Sequence, residues 1–382
     1  MSASRPASAI AMALAAVGLC ACQADTAELS PIAWQKVAGP VGGAVLGLGP
    51  AGSFDELGSF TVRAFQDGGV VWMYYGGAAV DPGADPACPG IADVPWRIGL
   101  ARSTDGVNFT REPGTVTGTG VPAGTILDHG AAGQFDSFLT YRPYVLKDGT
   151  TWRMWYNGST LPFNCPTGTL ALDRRIGYAD SGDGLAWTRH YDGAGPGGSV
   201  LPLGGAGEFD AQQVGYVWVI KDGAEYKMYY SANDALNFWR VGLAVSSDAR
   251  TWTKVRGKGA TGAVLDLGSA GSFDAACAYQ PSVVKERDQL YRMWYRACDR
   301  AGSPNGPSRG TIGYAESNDG ITWVKIPQPG PDGSAIGLGD PGSFDAGGLT
   351  TPSVFLDTAS WQMYYAGVNA GVYNIGLARA PR

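Results

Sequence analysis

Downstream of its first fifty residues the chain alternates short apolar runs with turns rich in Gly, Asp and Asn, and the alternation repeats at long range. An aromatic run recurs as "VWMYYGG" (71–77), "WRMWYNG" (152–158), "YKMYYSA" (226–232), "YRMWYRA" (291–297) and "WQMYYAG" (361–367). An apolar run precedes each one, as in "RPYVLKDG" (142–149) and "QPSVVKERD" (280–288). A further run follows each after a loop of variable length: "RIGLARSTDG" (97–106), "RIGYADSGDG" (175–184), "RVGLAVSSDA" (240–249), "TIGYAESNDG" (311–320) and "NIGLARA" (374–380). The first four units end on "NFTRE", "AWTRH", "TWTKV" and "TWVKI". Runs of this length, rich in aromatic and β-branched residues and bounded by turn residues, predict strands. "KDGT" and "KDGA" read as hairpin turns that favour positive φ. Beyond the N-terminal segment no window carries a helical period.

A Phe-Asp step opens each unit, at "GSFD" (52–55), "GQFD" (133–136), "GEFD" (207–210), "GSFD" (271–274) and "GSFD" (342–345). The phenylalanines are 81, 74, 64 and 71 residues apart. Repetition at this period, with about four strands per unit, predicts an all-β fold, a five-bladed β-propeller with four-stranded blades. The blades fall at approximately 52–127, 128–201, 202–265, 266–337 and 338–382 plus 32–46. The last unit lacks its fourth strand. "IAWQKVAGPVGGAVLGLGPAGSFD" (32–55) matches "ITWVKIPQPGPDGSAIGLGDPGSFD" (321–345) and supplies it, so the N-terminal strand completes the last blade. Such a ring leaves no open sheet edge. A residue used for chemistry occurs once, whereas a structural device recurs. Asp55, Asp136, Asp210, Asp274 and Asp345 are therefore expected to tie blades together by accepting backbone N–H bonds.

Composition narrows the functional classes. The net charge is −6 and no basic run occurs, which argues against nucleic acid. His129 and His190 are the only histidines, too few for a His-rich metal site, and no metal or cofactor is expected. Arg5 followed by "AIAMALAAVGL" (9–19) reads as an export signal too short to span a bilayer. "LCAC" (19–22) resembles a bacterial lipobox with Cys22 as the lipidated residue. That predicts a signal peptide over 1–21, a tether over 22–31 and a propeller over 32–382, held at the cell envelope only through its lipid. Secretion without lipid is the alternative. Export leaves Cys88, Cys165, Cys277 and Cys298, an even number that points to two disulfides. Cys277 begins a first strand and Cys298 follows the second strand of the same unit, which pairs them. Cys88 and Cys165 lie in corresponding loops of adjacent units and form the second predicted pair.

The unit "FD…P-x-V…Y-x-MWY-x-G…IG-x-A-x-S-x-DG-x-x-W" resembles the five-bladed propeller glycosidases of the arabinanase, levansucrase and invertase superfamily across nearly all of the mature chain. The resemblance implies a carbohydrate-active protein with three acids on its innermost strands. The equivalent positions here, just before the position that holds Pro in three of the units, are Thr61, Arg142, Tyr216, Gln280 and Thr351, none of them acidic. "STDG", "SGDG" and "SNDG" also resemble shortened sialidase Asp-boxes, which are structural hairpins. No trio of arginines is evident in the sequence to grip a sialic carboxylate.

First and second strands run antiparallel, so the Phe-Asp loops share a face with the loops at 78–96, 159–174, 231–239, 296–310 and 366–373. That face, around the axis, is the expected site. Its substrate-binding candidates are Tyr141, Arg142, Asn157, Gln212, Gln213, Tyr216, Tyr279, Gln280 and Arg296, with Ser231 and Thr351 beside them. Aromatic faces and planar polar groups suit an oligo- or polysaccharide. Glu56 is the acid that other units do not share, since they carry Ser137, Ala211, Ala275 and Ala346, and it is the candidate catalytic carboxylate. Asp173, Asp234 and Asp299 are candidate partners, with Asp234 set first. A surface or structural role for Glu56 competes with this. The expected protein is an exported, monomeric, glycoside hydrolase-like propeller; the alternative is a glycan-binding or structural surface protein without catalysis.

Overall fold

The computed structural model describes residues 31–79, 96–160, 173–299 and 310–382. Cys20, Cys22, Cys88 and Cys165, and parts of three of the variable loops, lie outside the described residues. Ile32–Arg382 form one compact unit. Among the described residues, apart from two single-turn 3₁₀ segments at Pro196–Gly198 and Pro331–Gly333, every regular element is a strand.

A short strand β1 (Gln35–Val37) comes first. Strands β2 (Gly58–Asp67), β3 (Val70–Ala78), β4 (Trp96–Ser103) and β5 (Thr110–Arg111) form one antiparallel four-stranded sheet. Strands β6 (Leu139–Asp148), β7 (Thr151–Ser159), β8 (Arg175–Ser181) and β9 (Thr188–His190) form the next. Strands β10 (Gln213–Asp222), β11 (Glu225–Asn233), β12 (Trp239–Ser246) and β13 (Thr253–Val255) repeat the pattern. So do β14 (Cys277–Arg287), β15 (Leu290–Cys298), β16 (Thr311–Ser317) and β17 (Val324–Lys325). A single parallel bridge, Trp239 to Cys277, joins these last two groups. Finally β18 (Gly348–Leu356), β19 (Ser360–Asn369) and β20 (Val372–Pro381) pair in order, and β1 adds to β20 with Lys36 opposite Ala378. The protein is thus all-β, built of four-stranded antiparallel sheets in the manner of a β-propeller.

The aromatic second strands make the core. Met73, Met154, Met228, Met293 and Met363 are fully buried, as are Tyr74, Trp155, Tyr229, Trp294 and Tyr364. Several of these aromatics reach into the next sheet. Tyr74 Oη donates to Gly184 O, Tyr229 Oη to Gly320 O and Tyr364 Oη to Gly106 O, each a glycine of the neighbouring "S-x-DG" hairpin. The first strands are linked in the same sense. Arg63 Nε donates to Val145 O, Tyr144 Oη to Val219 O and Trp218 Nε1 to Val283 O. Val354 N donates to Ser282 Oγ and Ala64 N to Ser353 Oγ. These bonds run from β2 to β6, β10, β14 and β18 and back to β2.

The Phe-Asp carboxylates are buried and tied, but not in the expected way. Each accepts from a second-strand tyrosine and from a basic residue on the outermost strand of its own sheet. Asp55 takes Tyr75 Oη and Arg111 Nε, and Asp136 takes Tyr156 Oη and Arg189 Nε. Asp210 takes Tyr230 Oη and Lys254 Nζ, and Asp274 takes Tyr295 Oη and Lys325 Nζ. Asp345 takes Tyr365 Oη and Lys36 Nζ, the latter from β1. The tie therefore pins the first, second and fourth strands of one sheet instead of joining two, and its donors are side chains. Burial, and then the adjacent Asp136, pushes the Tyr156 phenol far up, so it stays a donor. The ring of Phe54 needs a glycine beneath it: a Cβ on Gly99 would overlap the ring.

Candidate functional site

Five backbone positions depart from the strand conformation in the same way. Thr61, Arg142, Tyr216, Gln280 and Thr351 have φ of 60°, 56°, 49°, 54° and 46°. Each sits in a register shift of its first strand, between Phe60 and Arg63, Tyr141 and Tyr144, Gly215 and Trp218, Tyr279 and Ser282, or Thr350 and Ser353. These are bulges that re-aim a side chain. A non-glycine residue in the left-handed region costs about 1–2 kcal/mol, and such strain collects at functional sites. The five residues, with Pro143, Pro281 and Pro352, line one axial cavity of about 40 Å³. That volume admits a few waters and no sugar ring.

Above the cavity the side chains form one cluster. The Arg142 guanidinium stacks on Tyr216, 3.4 Å from its ring centre, and lies 5.2 Å from Tyr141. Arg174 approaches the same Tyr216 ring at 4.8 Å and Trp239 at 5.1 Å. It donates to Tyr141 Oη at 2.7 Å and to Gln213 Oε1 at 2.9 Å. Arg296 donates to Tyr279 Oη at 2.7 Å from the register position opposite Tyr279. Tyr216, Trp239 and Tyr279 meet with ring centres 5.1–5.6 Å apart. Asn157 Oδ1 accepts Tyr216 N, and Ser231 Oγ accepts Gln280 N, which hold two of the bulges. Gln280 Oε1 accepts Thr350 Oγ1 and Thr351 N.

The electrostatics follow from the lack of carboxylates. Burial raises the Tyr216 phenol, but Arg142, Arg174 and Arg296 together outweigh it and its pKa falls. Tyr279 rises, because burial dominates there and Arg296 only partly offsets it. Burial lowers Arg142, although Tyr216 and Tyr141 act the other way. Arg174 moves up in spite of its burial, because Tyr141 and Tyr216 surround it and Tyr141 accepts its hydrogen bond.

Of the residues expected at the site, Arg142, Asn157, Gln213, Tyr216, Tyr279, Gln280 and Arg296 fall in this cluster or its support. Tyr141 is fully buried and takes part through its hydroxyl. Gln212 stays exposed just before β10. Glu56 is half-buried and accepts Gly52 N at 2.8 Å inside the Phe-Asp turn, as Glu208 does from Gly205 N. Asp234 accepts Leu236 N and Phe238 N and pairs with Arg240 at 2.8 Å. Asp173 binds Ser159 and Thr160. These acids make turn contacts. The predicted Cys277–Cys298 disulfide is present, directly across β14 and β15 and two residues from the Tyr279–Arg296 pair. The Cys88–Cys165 pairing falls outside the described residues. Among the described residues no group of three His, Cys, Asp or Glu side chains could hold a metal, and no helix is long and apolar enough to cross a membrane.

Arg174 and Trp239 were not anticipated, and with Arg142 and Arg296 the structure does assemble three arginines. The signal was a repeat position left unread. Trp96, Arg174, Trp239, Gly310 and Tyr373 all stand two residues before the Ile or Val of "IG" or "VG", and they comprise four residue types.

No protein-family model matches the chain. An uncharacterized protein of Mycobacterium tuberculosis strain CDC 1551 / Oshkosh is 29% identical over 268 residues, which is 68% of this chain and 77% of that protein. Its counterpart in strain H37Rv matches equally. Among solved structures, a glycoside hydrolase superimposes with a TM-score of 0.66 at 16% identity, covering 92% of this chain and 93% of its own. A structure from work on GH130-family glycoside hydrolases that target β-1,2 mannosidic linkages in Candida mannan gives 0.63 at 16% identity, covering 93% and 97%. A β-1,2-mannobiose phosphorylase from Listeria innocua, in complex with β-1,2-mannobiose, gives 0.55 at 13% identity, covering 85% and 90%. The chain shares the fold of these glycoside hydrolase-like proteins.

Proposed function

We propose that this protein is an exported, lipid-anchored, five-bladed propeller that binds carbohydrate over its axis. The arabinanase, levansucrase and invertase superfamily is its proposed lineage. Pairing of β1 with β20, and the bonds linking β2, β6, β10, β14 and β18 in turn, support five blades in a ring closed by the N-terminal strand. "LCAC" supports anchoring through Cys22 and a place at the cell envelope.

One observation carries the functional reading. The five repeat-equivalent bulges that line the axis hold five polar or aromatic side chains of four residue types, in strained backbone, beside the Tyr216–Trp239–Tyr279 aromatic group. Aromatic faces flanked by planar hydrogen-bonding groups match the apolar faces and hydroxyl edges of sugar rings. The carbohydrate-processing neighbours of the same fold favour that ligand class. Recognition without hydrolysis is the better-supported version. None of the five axial bulges carries a carboxylate, and Glu56 and Asp234 are committed to turn contacts. A two-carboxylate mechanism needs a pair about 5–10 Å apart across the bond to be cut.

A glycan array combined with a reducing-sugar assay on the full chain tests the reading. Glycan affinity without turnover, unchanged in Glu56→Gln, is expected. Turnover abolished by Glu56→Gln restores the hydrolase reading, and absence of all glycan affinity removes carbohydrate from the function.

A further inference from the structure

Arginines elsewhere in this protein are commonly matched to carboxylates. Arg97 meets Asp128, Arg102 meets Glu112, Arg111 meets Asp55, Arg189 meets Asp136, Arg240 meets Asp266 and Arg292 meets Glu316, all within 3.0 Å. Arg142, Arg174 and Arg296 have no carboxylate within 4.0 Å among the described residues. Arg142 and Arg174 lie over the half-buried Tyr216 ring, and Arg296 lies over the adjoining Tyr279 ring. Three like charges gathered in a low-dielectric mouth repel one another, on a chain whose net charge is −6. A structural salt-bridge network would carry both signs. This cluster carries one.

The unused hydrogen-bonding atoms are also mostly of one kind. Arg142 Nε and Nη1, Arg296 Nε and Asn157 Nδ2 are buried donors that make no hydrogen bond; the Gln280 amide N–H is directed at the Tyr216 oxygen, and the Thr351 hydroxyl, which can donate or accept, is also unused. Gln280 is 4% exposed and lines the axial cavity with Arg142. Its acceptor oxygen is saturated by Thr350 and Thr351, which leaves only N–H facing inward. A neutral sugar hydroxyl both donates and accepts, and so leaves part of such a surplus unmatched. An ionised oxyanion accepts only, and guanidinium forks fit it in bidentate geometry.

We propose that the axial mouth recognises an oxyanion of an acidic glycan, a sugar carboxylate or a sulfate or phosphate ester. Arg142 and Arg296 are its principal donors and Gln280 a third. Arg174, held by Tyr141 and Gln213, keeps Tyr216 in place beneath the sugar and adds charge. The cavity of about 40 Å³ takes the anionic group and excludes the ring, which rests on Tyr216, Trp239 and Tyr279. The inference rests on the reading of this mouth as a glycan site.

The test uses the full chain and Trp fluorescence or calorimetry. The probes are a uronate oligosaccharide, the same oligosaccharide with its carboxyls reduced to alcohols, a sulfated oligosaccharide and inorganic phosphate. At least one acidic probe is expected to bind about tenfold or more tightly than the reduced one, with affinity falling as salt rises. Arg142→Gln is expected to remove that preference. Arg296→Gln repeats the test in case the first variant misfolds, with circular dichroism as the check. The uronate and sulfated arms distinguish the two sources of the oxyanion. Equal affinity for acidic and reduced glycans overturns the inference and leaves the glycan site standing. Phosphate bound through Arg142 with no glycan bound upholds the anion chemistry and overturns the glycan reading. No binding of any probe overturns both.

Discussion

Two rings of repeat-equivalent residues surround the axis, and they have opposite characters. The outer ring, Asp55, Asp136, Asp210, Asp274 and Asp345, is the same residue five times, each with a tyrosine and a basic partner. The inner ring, Thr61, Arg142, Tyr216, Gln280 and Thr351, shares a backbone conformation but carries four different side chains. In the outer ring every charge is answered within its own sheet. In the inner region three arginines meet aromatic faces, tyrosine hydroxyls and one amide oxygen, with no carboxylate among the described residues. Repetition marks what each sheet needs in order to form, and divergence at a repeated position marks what the molecule needs only once.

The sharpest way to break this contrast is to remove an outer carboxylate. Asp136→Ala leaves Arg189, Tyr156 and Tyr191 without their common acceptor in a fully buried place. A loss of about 3–5 kcal/mol is expected in urea unfolding. A cost below about 1 kcal/mol means that these carboxylates are not the ties described here.

Opening the Cys277–Cys298 bridge comes next. It closes a separation of 21 residues beside the Tyr279–Arg296 pair. The double Cys→Ser variant is expected to lose about 3 kcal/mol. It should also lower ligand affinity, because the strands that present Arg296 and Tyr279 are freed at their ends.

A smaller effect belongs to the hairpins on the opposite face. Asp319 is held at about 2: burial raises it, but the N–H groups of Thr322 and Ile321 and the Ser317 hydroxyl outweigh that. The folded pKa lies below the unfolded value of about 3.9. Its stabilisation is therefore complete above about pH 4 and is lost as pH falls through about 2. Asp319→Ala is expected to cost about 1 kcal/mol at neutral pH, and the deficit against the parent chain should shrink on acidification. A deficit that stays constant down to pH 2 rules out the charged-turn account.

The smallest expected effect is the most telling. Arg142→Met replaces an inner cation with an apolar chain of similar length. Stability is expected to stay within about 1 kcal/mol of the parent, or to rise, because a buried charge without a carboxylate partner is removed. Ligand affinity should fall. A loss of several kcal/mol would place Arg142 among the structural ties, and the two rings would no longer differ in kind.

Much of the architecture was legible in the chain itself. The Phe-Asp spacing, the alternating runs and the match of 32–55 to 321–345 foretold the strand order and the pairing of β1 with β20. Strand order alone foretold Cys277–Cys298. The Phe-Asp role was legible only as structural. That its donors are a tyrosine 20 or 21 residues on and a basic residue of the outermost strand depends on which side chains meet across a sheet. The five axial positions were legible from their step before the position that holds Pro in three units, but their left-handed conformation was not. Glu56 stood out by breaking the repeat, yet it is held in a turn. Arg174 and Trp239 were not legible because they sit at the start of a third strand, which chain order alone places away from the axis.

The sequence by itself determined the repeat, the strands and the residues that must be alike. Period-two patterning and turn chemistry are local and survive in one dimension. Only the tertiary structure decided which unlike residues meet. Arg142, Arg174 and Arg296 are 32 and 122 residues apart along the chain. They gather over the adjoining Tyr216 and Tyr279 rings because separate sheets converge there, and the charge they concentrate belongs to that convergence and to no segment of the chain.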